Sequence, residues 1–358
     1  MEQKNKGRKK VSLGNLIILI ALIVLIALFY LLNPNFLNSY NVLSMMQSLA
    51  PYAIMALGVT FVIATGGIDL SIGTTCIAAA VIAGKFYTTG AYPLWAVVPI
   101  MIAIGTAVGL LNGILIAKLK MPAFIATLGT MMLTRGLSAL IVKDPNIFFP
   151  TGTWFNNVFS AAGKVPTGLF WVLGFMLLCM YLMYKNRIGR YILSIGSNEE
   201  ATRLSGINTD KYKIIAYVFS GCAAGIAAIF WSAAFPTVAA ATGNGMELDA
   251  IAGVYIGGTS AAGGVASVTG SAIGSLMLVV IRSGLNFVLA RFNINLNATY
   301  VTYVLTGIIV VVSVLMDVLK NKDEGRVRLD KKKIKKRKED RRSQSDRSCS
   351  TDRKARIK

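Results

Sequence analysis

The sequence predicts an all-α fold: a polytopic membrane helical bundle with about ten transmembrane helices and a short or broken third span. One observation is composition, since 54% of the 358 residues are hydrophobic and only 15% are charged. A second is that apolar runs of about 20 residues recur, the length that a helix needs to cross a hydrocarbon core. The third is that most of the net charge of +21 lies near the two ends of the sequence, which favours a membrane surface over nucleic acid.

The first predicted span is the apolar run 13–32, which is longer than the apolar region of a secretory signal and lacks a small-residue cleavage site. The other nine are residues 50–65, 71–84, 94–117, 122–142, 168–184, 214–234, 249–262, 267–289 and 298–318. This arrangement places eight Lys or Arg in the internal loops on one side and four in the loops on the other. Positive charge stays in the cytoplasm, so both termini are expected there.

Three regions are expected along the chain. Residues 1–12 hold five Lys or Arg against one acid and form a basic cytoplasmic N-terminus. Residues 13–319 form the transmembrane domain, which includes a cytoplasmic loop at 185–213. Residues 320–358 hold 18 Lys or Arg against seven Asp or Glu. We expect them to form a disordered cytoplasmic tail attracted to membrane lipid; association with RNA is the other interpretation of this charge.

The polar stretch 197–206, between two long apolar runs, predicts a short capped helix. Ser197 is suited to be its N-cap, and Glu200, three residues later, would complete a capping box. Gly206 is placed for a left-handed C-terminal cap. About two helical turns are unstable alone, so this helix is expected to dock into a partner. The candidate docking residues are Ser197, Asn198, Glu199, Glu200, Ala201, Arg203, Leu204 and Gly206.

A carboxylate interrupts the apolar pattern at residues 66–73. The candidate residues of this broken helix or solute pathway are Gly66, Gly67, Asp69, Ser71 and Gly73. A charge at membrane depth costs several kcal/mol unless it faces water or a partner, and is therefore a candidate for function. The structural alternative is that Asp69 caps a broken helix by accepting backbone N–H groups.

A second interruption is a flexible turn between two spans, with Gly257, Gly258, Gly263 and Gly264. Glu247 and Asp249 precede it and are expected at the outer entrance of a span, in contact with solvent. Arg135 and Arg282 also fall inside predicted spans, without an evident partner in the sequence.

Glycines recur at four-residue spacing within the predicted spans, which lets helix backbones approach closely in lipid. They are Gly105, Gly109 and Gly113, then Gly221 and Gly225, Gly253 and Gly257, and Gly270 and Gly274. Packing within one chain is the expected use, and a dimer interface or pathway lining is the alternative.

The sequence lacks the groups that most enzymes need. It has no phosphate-binding Gly-x-x-x-x-Gly-Lys-Ser/Thr loop and no histidine, and its four cysteines have no paired spacing. We expect no catalytic residue, metal site or bound cofactor. A transporter requires only a pathway and an energy source; if that source is ATP, a partner subunit must bind the ATP and its Mg²⁺.

The order of three sequence blocks resembles the permease subunit of monosaccharide ABC importers, particularly the ribose type. The blocks are residues 66–73, residues 189–207 and residues 245–260, and the resemblance covers about residues 34–318. The second block partly matches the importer signature Glu-Ala-Ala-x-x-x-Gly, with Thr202 in place of the second alanine.

The resemblance implies several partners and a mechanism. It implies a homodimer, two cytoplasmic ABC ATPase domains docked on the short helix, and an extracytoplasmic sugar-binding protein. Transport would follow alternating access across the cytoplasmic, or inner, membrane, and the resemblance does not identify the sugar. Two other function classes remain: an ion-coupled secondary transporter that uses Asp69, and a membrane-embedded enzyme.

Overall fold

The computed structural model describes residues 3–143, 146–292, 300–312 and 314–315, with side chains from residue 16 onward. The chain divides into one compact unit, Met1–Ser313, and a second, Val314–Lys358. The predicted tail 320–358 lies outside the described residues. The predicted boundary at residue 12 does not coincide with an element boundary, because the first helix runs without interruption from Gln3.

The described residues form thirteen helices, in agreement with the predicted all-α class. They are α1 (Gln3–Leu32), α2 (Ser39–Ala64), α3 (Ile72–Thr88), α4 (Leu94–Ala117), α5 (Ala123–Val142), α6 (Trp154–Phe159), α7 (Thr167–Met180), α8 (Arg187–Ser197), α9 (Glu199–Leu204), α10 (Thr209–Ala234), α11 (Met246–Ile256), α12 (Val268–Arg291) and α13 (Tyr300–Val312). A 3₁₀ turn occupies Pro34–Leu37 and a π turn, Tyr181–Lys185, continues α7. Strands β1 (Ile147–Phe148) and β2 (Thr237–Val238) pair antiparallel.

Six of these helices are long and apolar enough to cross a membrane: α2, α4, α5, α7 with its π turn, α10 and α12. Three apolar helices are shorter, namely Leu16–Leu32 of α1, α3 and α13. Helix α11 has 11 residues, a length of about 16 Å and half of what a crossing needs. These ten helices overlap the predicted spans, but the count of ten crossings stays a prediction.

Two predicted spans have wrong boundaries. Helix α2 begins at Ser39 rather than residue 50, and Pro51 lies inside it. Polar residues in its first half weaken the apolar signal, yet they bond within the protein, as Asn41 does by donating to the Phe36 carbonyl at 2.6 Å. The span 249–262 ends at Ile256. The loop 185–213 is largely helical, because it contains α8, α9 and the start of α10.

Helix α2 is the centre of the bundle. Every residue from Leu49 to Thr65 is buried, and the helix packs against α7, α10, α11 and α12. A run that is apolar on all faces has no solvent side, as expected of a helix surrounded by other helices. The remaining helices are therefore positioned relative to α2.

Glycine motifs join the helices in pairs. A Cβ atom at Gly105 would lie 2.6 Å from Gly225 N, and one at Gly109 would lie 3.0 Å from Gly221 Cα, so α4 and α10 touch through their backbones. Helices α11 and α12 do the same, since a Cβ at Gly257 would lie 2.5 Å from the Gly270 carbonyl oxygen. The prediction that these motifs pack within one chain is confirmed.

We expect Gly109→Leu to lower the free energy of unfolding by at least about 1–3 kcal/mol, because overpacking separates α4 from α10. The thermal unfolding midpoint of the purified protein in detergent measures this. Gly129→Leu on α5 is the matched control, since no atom lies within 4 Å of a Cβ at that position. Equal midpoints for the two variants would contradict the proposed backbone contact.

Candidate functional site

Three segments that are distant in sequence meet at one end of the bundle, close to α9. We call this contact the glycine junction, and it comprises Ala64, Gly66, Gly196, Gly263 and Gly264. The Gly264 N–H donates a hydrogen bond to the Ala64 carbonyl at 3.0 Å. A Cβ at Gly263 would lie 2.7 Å from Gly66 N, and one at Gly196 would overlap the Ala64 carbonyl oxygen. Glycine is therefore required for the three backbones to approach this closely.

The glycine turn after α11 is only partly open. A Cβ at Gly264 would overlap the Ser197 hydroxyl, whereas nothing lies near Gly258. Gly258, Gly263 and Gly264 have φ values of +83°, +82° and +77°, which disfavour other residues. Backbone contacts hold the turn at Gly257, Gly263 and Gly264, and its predicted flexibility stays a prediction.

The N-cap of α9 is Asn198, and the prediction of Ser197 is wrong. The Asn198 side-chain oxygen accepts from Ala201 N at 2.9 Å. Ser197 is the last residue of α8, and its hydroxyl donates to the Leu193 carbonyl at 2.9 Å. Because the cap is one residue later than predicted, Glu200 cannot complete the predicted capping box.

The predicted C-terminal cap of α9 is confirmed. Gly206 has a φ of +81°, and its N–H donates to the Arg203 carbonyl at 3.0 Å. Ile207 N–H donates to the Thr202 carbonyl at 3.4 Å. These two bonds form a Schellman motif, which ends the helix abruptly.

Helix α9 is fixed to both neighbouring helices. The Thr202 hydroxyl is 2.9 Å from that of Ser194 on α8. On the other side, Glu199 accepts from Lys213 of α10 at 2.6 Å and from Arg203 at 3.2 Å. Partial burial alone would raise the pKa of Glu199, but the hydrogen bond and charge of Lys213, with the charge of Arg203, hold that pKa below its usual value.

The outer face of α9 is open to solvent. Leu204 is 84% exposed, and Glu200 and Ala201 are exposed as well. This face of α9 therefore presents Glu200, Ala201 and Leu204 outward, whereas Glu199 and Thr202 face the bundle.

Asp69 is buried in the break between α2 and α3, with 1% exposure. Its Oδ1 accepts from Ser71 N at 3.0 Å and from the Ser71 hydroxyl at 2.6 Å. Its Oδ2 accepts from the Ser220 hydroxyl of α10 at 2.7 Å. No Lys or Arg among the described residues bonds to it, so only neutral donors satisfy the carboxylate. The bond from Ser71 N agrees with the structural alternative, in which Asp69 caps a broken helix by accepting backbone N–H groups.

The hydrogen bonds of Ser71 continue into a wider network. Asn112 of α4 donates to the Ser71 hydroxyl at 2.8 Å, and Thr130 of α5 donates to the Asn112 side-chain oxygen at 2.7 Å. The break at 66–71 is thereby joined to α4, α5 and α10. Gly67 makes room for the same arrangement, because a Cβ there would lie 2.6 Å from the Tyr217 hydroxyl.

Glu247 does not lie at a solvated entrance, and that prediction is wrong. It is 7% exposed and sits in the first turn of α11. A Cβ at Gly73, in the first turn of α3, would lie 2.7 Å from Glu247 Oε2, and that oxygen has no hydrogen-bond partner among the described residues. Two helix N-termini thus face this carboxylate, and their dipoles favour negative charge.

Asp249 is also buried rather than solvated, with 6% exposure. Arg282 of α12 donates to both Asp249 and the Tyr52 hydroxyl, and Thr306 of α13 donates to Asp249 at 3.3 Å. Arg282 therefore has the partner that its predicted span did not reveal. A carboxylate and a guanidinium that lie 33 residues apart in sequence became neighbours only when α11 packed on α12.

Sequence reasoning missed four residues of this site: Gly196, Asn112, Ser220 and Tyr217. Asn112 had a usable signal, because an amide within an apolar run must find a partner inside the membrane. Ser220 stands directly before the glycine motif of α10, which places it at a helix contact. Gly196 and Tyr217 had no comparable local signal.

Known proteins match most of the chain. The family described as branched-chain amino acid transport system, permease component, matches residues 41–314. The ribose import permease protein RbsC of Escherichia coli (strain K12) is 38% identical over 326 residues, which are 88% of this chain and 94% of that protein. The galactose/methyl galactoside import permease protein MglC of the same strain is 32% identical, with coverages of 85% and 92%.

A third relative has a more general name. The inner membrane ABC transporter permease protein YjfF of Escherichia coli (strain K12) is 36% identical over 265 residues, which are 71% of this chain and 78% of that protein. No solved structure matches the chain.

Substitutions of Asp69 can test whether the fold depends on the charge of this side chain or on the hydrogen bonds that it accepts. We expect Asp69→Ala to lower the free energy of unfolding by at least about 1–3 kcal/mol, because buried donors on Ser71 and Ser220 lose their acceptor. Asp69→Asn keeps an acceptor and should unfold closer to wild type in a thermal scan. Asp210→Ala, which removes an exposed ion pair with Lys120, is the control and should change little. An Asn variant as unstable as the Ala variant would show that the charge itself is required.

The lowered pKa of Glu199 predicts how stability depends on pH. When the pKa of a carboxylate is lower in the folded state than in the unfolded state, its charge stabilises the fold at pH values above the unfolded-state pKa. This stabilisation is lost as the pH falls through the folded-state pKa. We expect the thermal midpoint difference between wild type and Glu199→Gln to shrink as pH is lowered from about 5 to about 3. Glu200→Gln, at an exposed neighbour, is the control; the same pH dependence there would refute the assignment to Glu199.

Proposed function

We infer the function from one premise, which is that this chain belongs to the family of branched-chain amino acid transport system permease components. We propose that it is the permease subunit of an ATP-driven ABC importer in the cytoplasmic membrane. Its named relatives import ribose and galactose, so the proposed cargo is a ribose-like monosaccharide. ATP and Mg²⁺ would bind to a partner ATPase, with no cofactor on this chain.

The observation that carries this proposal is the position of α9 beside the glycine junction. Helix α9 is joined to α8 through Thr202, and Gly196 in the last turn of α8 lies directly against Ala64 and Gly264. A displacement of α9 would therefore reach the end of α2 and the turn between α11 and α12. This is the connection that an ATPase outside the membrane needs in order to act on transmembrane helices.

Alternating access follows if the two arrangements of these helices differ in their contact with the ATPase. A partner shifts a two-state equilibrium only by its difference in affinity for the two states. The exposed side chains on α9, including Leu204, supply the surface for such a difference. The sugar then needs only weak contacts with the permease.

The same proposal includes the other partners. Large apolar side chains are exposed on α1, α5 and α13, for example Leu31 at 79%, Leu140 at 71% and Val311 at 66%. Such surfaces suit membrane lipid and a second copy of the chain in a homodimer. An extracytoplasmic sugar-binding protein would deliver the cargo at the end opposite α9.

The ion-coupled alternative loses its main argument. It requires Asp69 to exchange an ion with water, but the carboxylate is 1% exposed and accepts three hydrogen bonds from Ser71 and Ser220. We assign Asp69 to the architecture of the break instead.

We predict that Leu204→Glu removes ATPase binding without unfolding the permease, because it places charge on the exposed contact face. Gly206→Val should have the same effect, since a side chain at φ +81° destabilises the cap by about 1 kcal/mol. Copurification of the ATPase and sugar uptake should fall together by at least about tenfold in Leu204→Glu. The control is Leu119→Glu, at a position 63% exposed and outside α9. Full uptake and unchanged ATPase binding in both α9 variants would refute ATP coupling through this helix.

We propose that α9 faces the cytoplasm, following the distribution of positive charge in the loops. A cysteine at Ser205, which is exposed after α9, should react with a membrane-impermeant thiol reagent only in inside-out vesicles. A cysteine at Thr89, exposed after α3, should react from the opposite side. Cys349 should be replaced by serine in both variants, and external labelling of Ser205→Cys would overturn the orientation.

A further inference from the structure

A cavity of about 290 Å³, lined by both apolar and polar side chains, lies between α2, α10 and α12. It occupies the halves of these helices that are distant from the glycine junction. Its rim includes the exposed Ser44 and Asn286, its walls include Tyr52 and Trp231, and Asp249 and Arg282 lie among its lining residues. The volume is near the lower end of the range for small-molecule sites.

The lining matches a neutral, hydroxyl-rich ligand. Serine hydroxyls and an asparagine amide both donate and accept hydrogen bonds, and the only charged side chains of the lining form one ion pair of zero net charge. The Tyr52 and Trp231 rings meet edge to face, with centroids 6.2 Å apart. Together they offer apolar surface beside polar groups, whereas an ionic ligand would find no excess charge.

The ion pair occupies a special position. Arg282 also lines an adjoining cavity of about 390 Å³, which shares Tyr52, Trp231 and Asn286 with the first. Asp249 also lines a third cavity of about 350 Å³. A buried ion pair is weak evidence for stability, because desolvation offsets its attraction. Its placement where the cavities meet therefore points to a role in ligand contact.

Trp231 adds an unused donor. Its indole N–H is shielded from solvent and has no hydrogen-bond partner among the described residues. A shielded donor without a partner is unfavourable in a folded protein, so a small rotation of the ring that exposes the N–H to a ligand hydroxyl would satisfy it.

We propose that this cavity binds a neutral polyol of monosaccharide size through Arg282, Asp249 and Trp231. Arg282 would donate to one ligand hydroxyl and Asp249 would accept from its neighbour, while the Trp231 N–H donates to a third oxygen. The identity of the ligand class rests on the proposed function, whereas the location rests on the lining residues alone. The contact is a transit site within the permease.

Protection from chemical labelling tests the site directly. Ser44→Cys at the rim, in the full-length permease in proteoliposomes, is treated with a small thiol reagent in the presence of increasing ribose, xylose or galactose. We expect at least one of these sugars to slow modification by about threefold or more at half a molar, the protection that a weak site would give. Tyr40→Cys, one helical turn away, 83% exposed and outside the cavity, is the matched control. Betaine at equal osmolality should protect neither cysteine.

Two further variants identify the contacts. Trp231→Phe keeps a ring but removes the N–H, and Asp249→Asn with Arg282→Gln keeps hydrogen-bonding groups but removes both charges. Each should reduce sugar protection of Ser44→Cys at least twofold, while the thermal midpoint reports whether the fold is retained. Trp95→Phe, on the exposed face of α4 at 68% exposure, should leave protection unchanged.

The outcomes separate this inference from the proposed function, because labelling needs neither ATP nor a partner. Protection without ATP-driven uptake would support the cavity and refute the importer. Uptake without protection by any of the three sugars would refute the cavity and leave the importer standing. Protection that persists in folded Trp231→Phe and in the double variant would also overturn the assignment of these residues.

Discussion

Helix α10 can lie against α4 only because glycine leaves no side chain between the two backbones. Gly105 and Gly109 on one helix meet Gly221 and Gly225 on the other, and any added Cβ would collide with main-chain atoms. In a membrane, where lipid is as apolar as leucine, such close packing supplies much of the attraction between helices. This contact brings Ser220 and Asn112 to the same level of the bundle, and so makes the Asp69 network possible.

The glycine junction applies the same constraint at the end of the bundle. Gly196, Gly263 and Gly264 let three chain segments touch through backbone atoms, with no side chain between them. Interiors packed to this density have low compressibility and transmit strain. Helix α9 is connected to this junction through α8, and its exposed face remains available. The geometry thus joins an external surface to the breaks in α2–α3 and α11–α12.

Among the described residues, the three buried carboxylates are stabilised in three different ways. Asp69 accepts hydrogen bonds from neutral donors, Glu247 faces the N-termini of α3 and α11, and Asp249 pairs with Arg282. Only the last of these forms an ion pair that also borders a cavity. This difference supports the architectural role that we propose for Asp69 and the ligand-contact role that we propose for Asp249, although both are acids at membrane depth.

The sequence by itself determined the helical class, the approximate position of each apolar helix and the C-terminal cap of α9, and it favoured packing within one chain for the glycine motifs. These features depend on local composition and spacing. Only the tertiary structure decided that Asn198 rather than Ser197 caps α9, because α8 extends through Ser197. It likewise decided that Glu247 and Asp249 are buried and that Gly196 meets Ala64 and Gly264. Those outcomes depend on which surfaces of distant segments come together, and no pattern within a single segment records its neighbour in space.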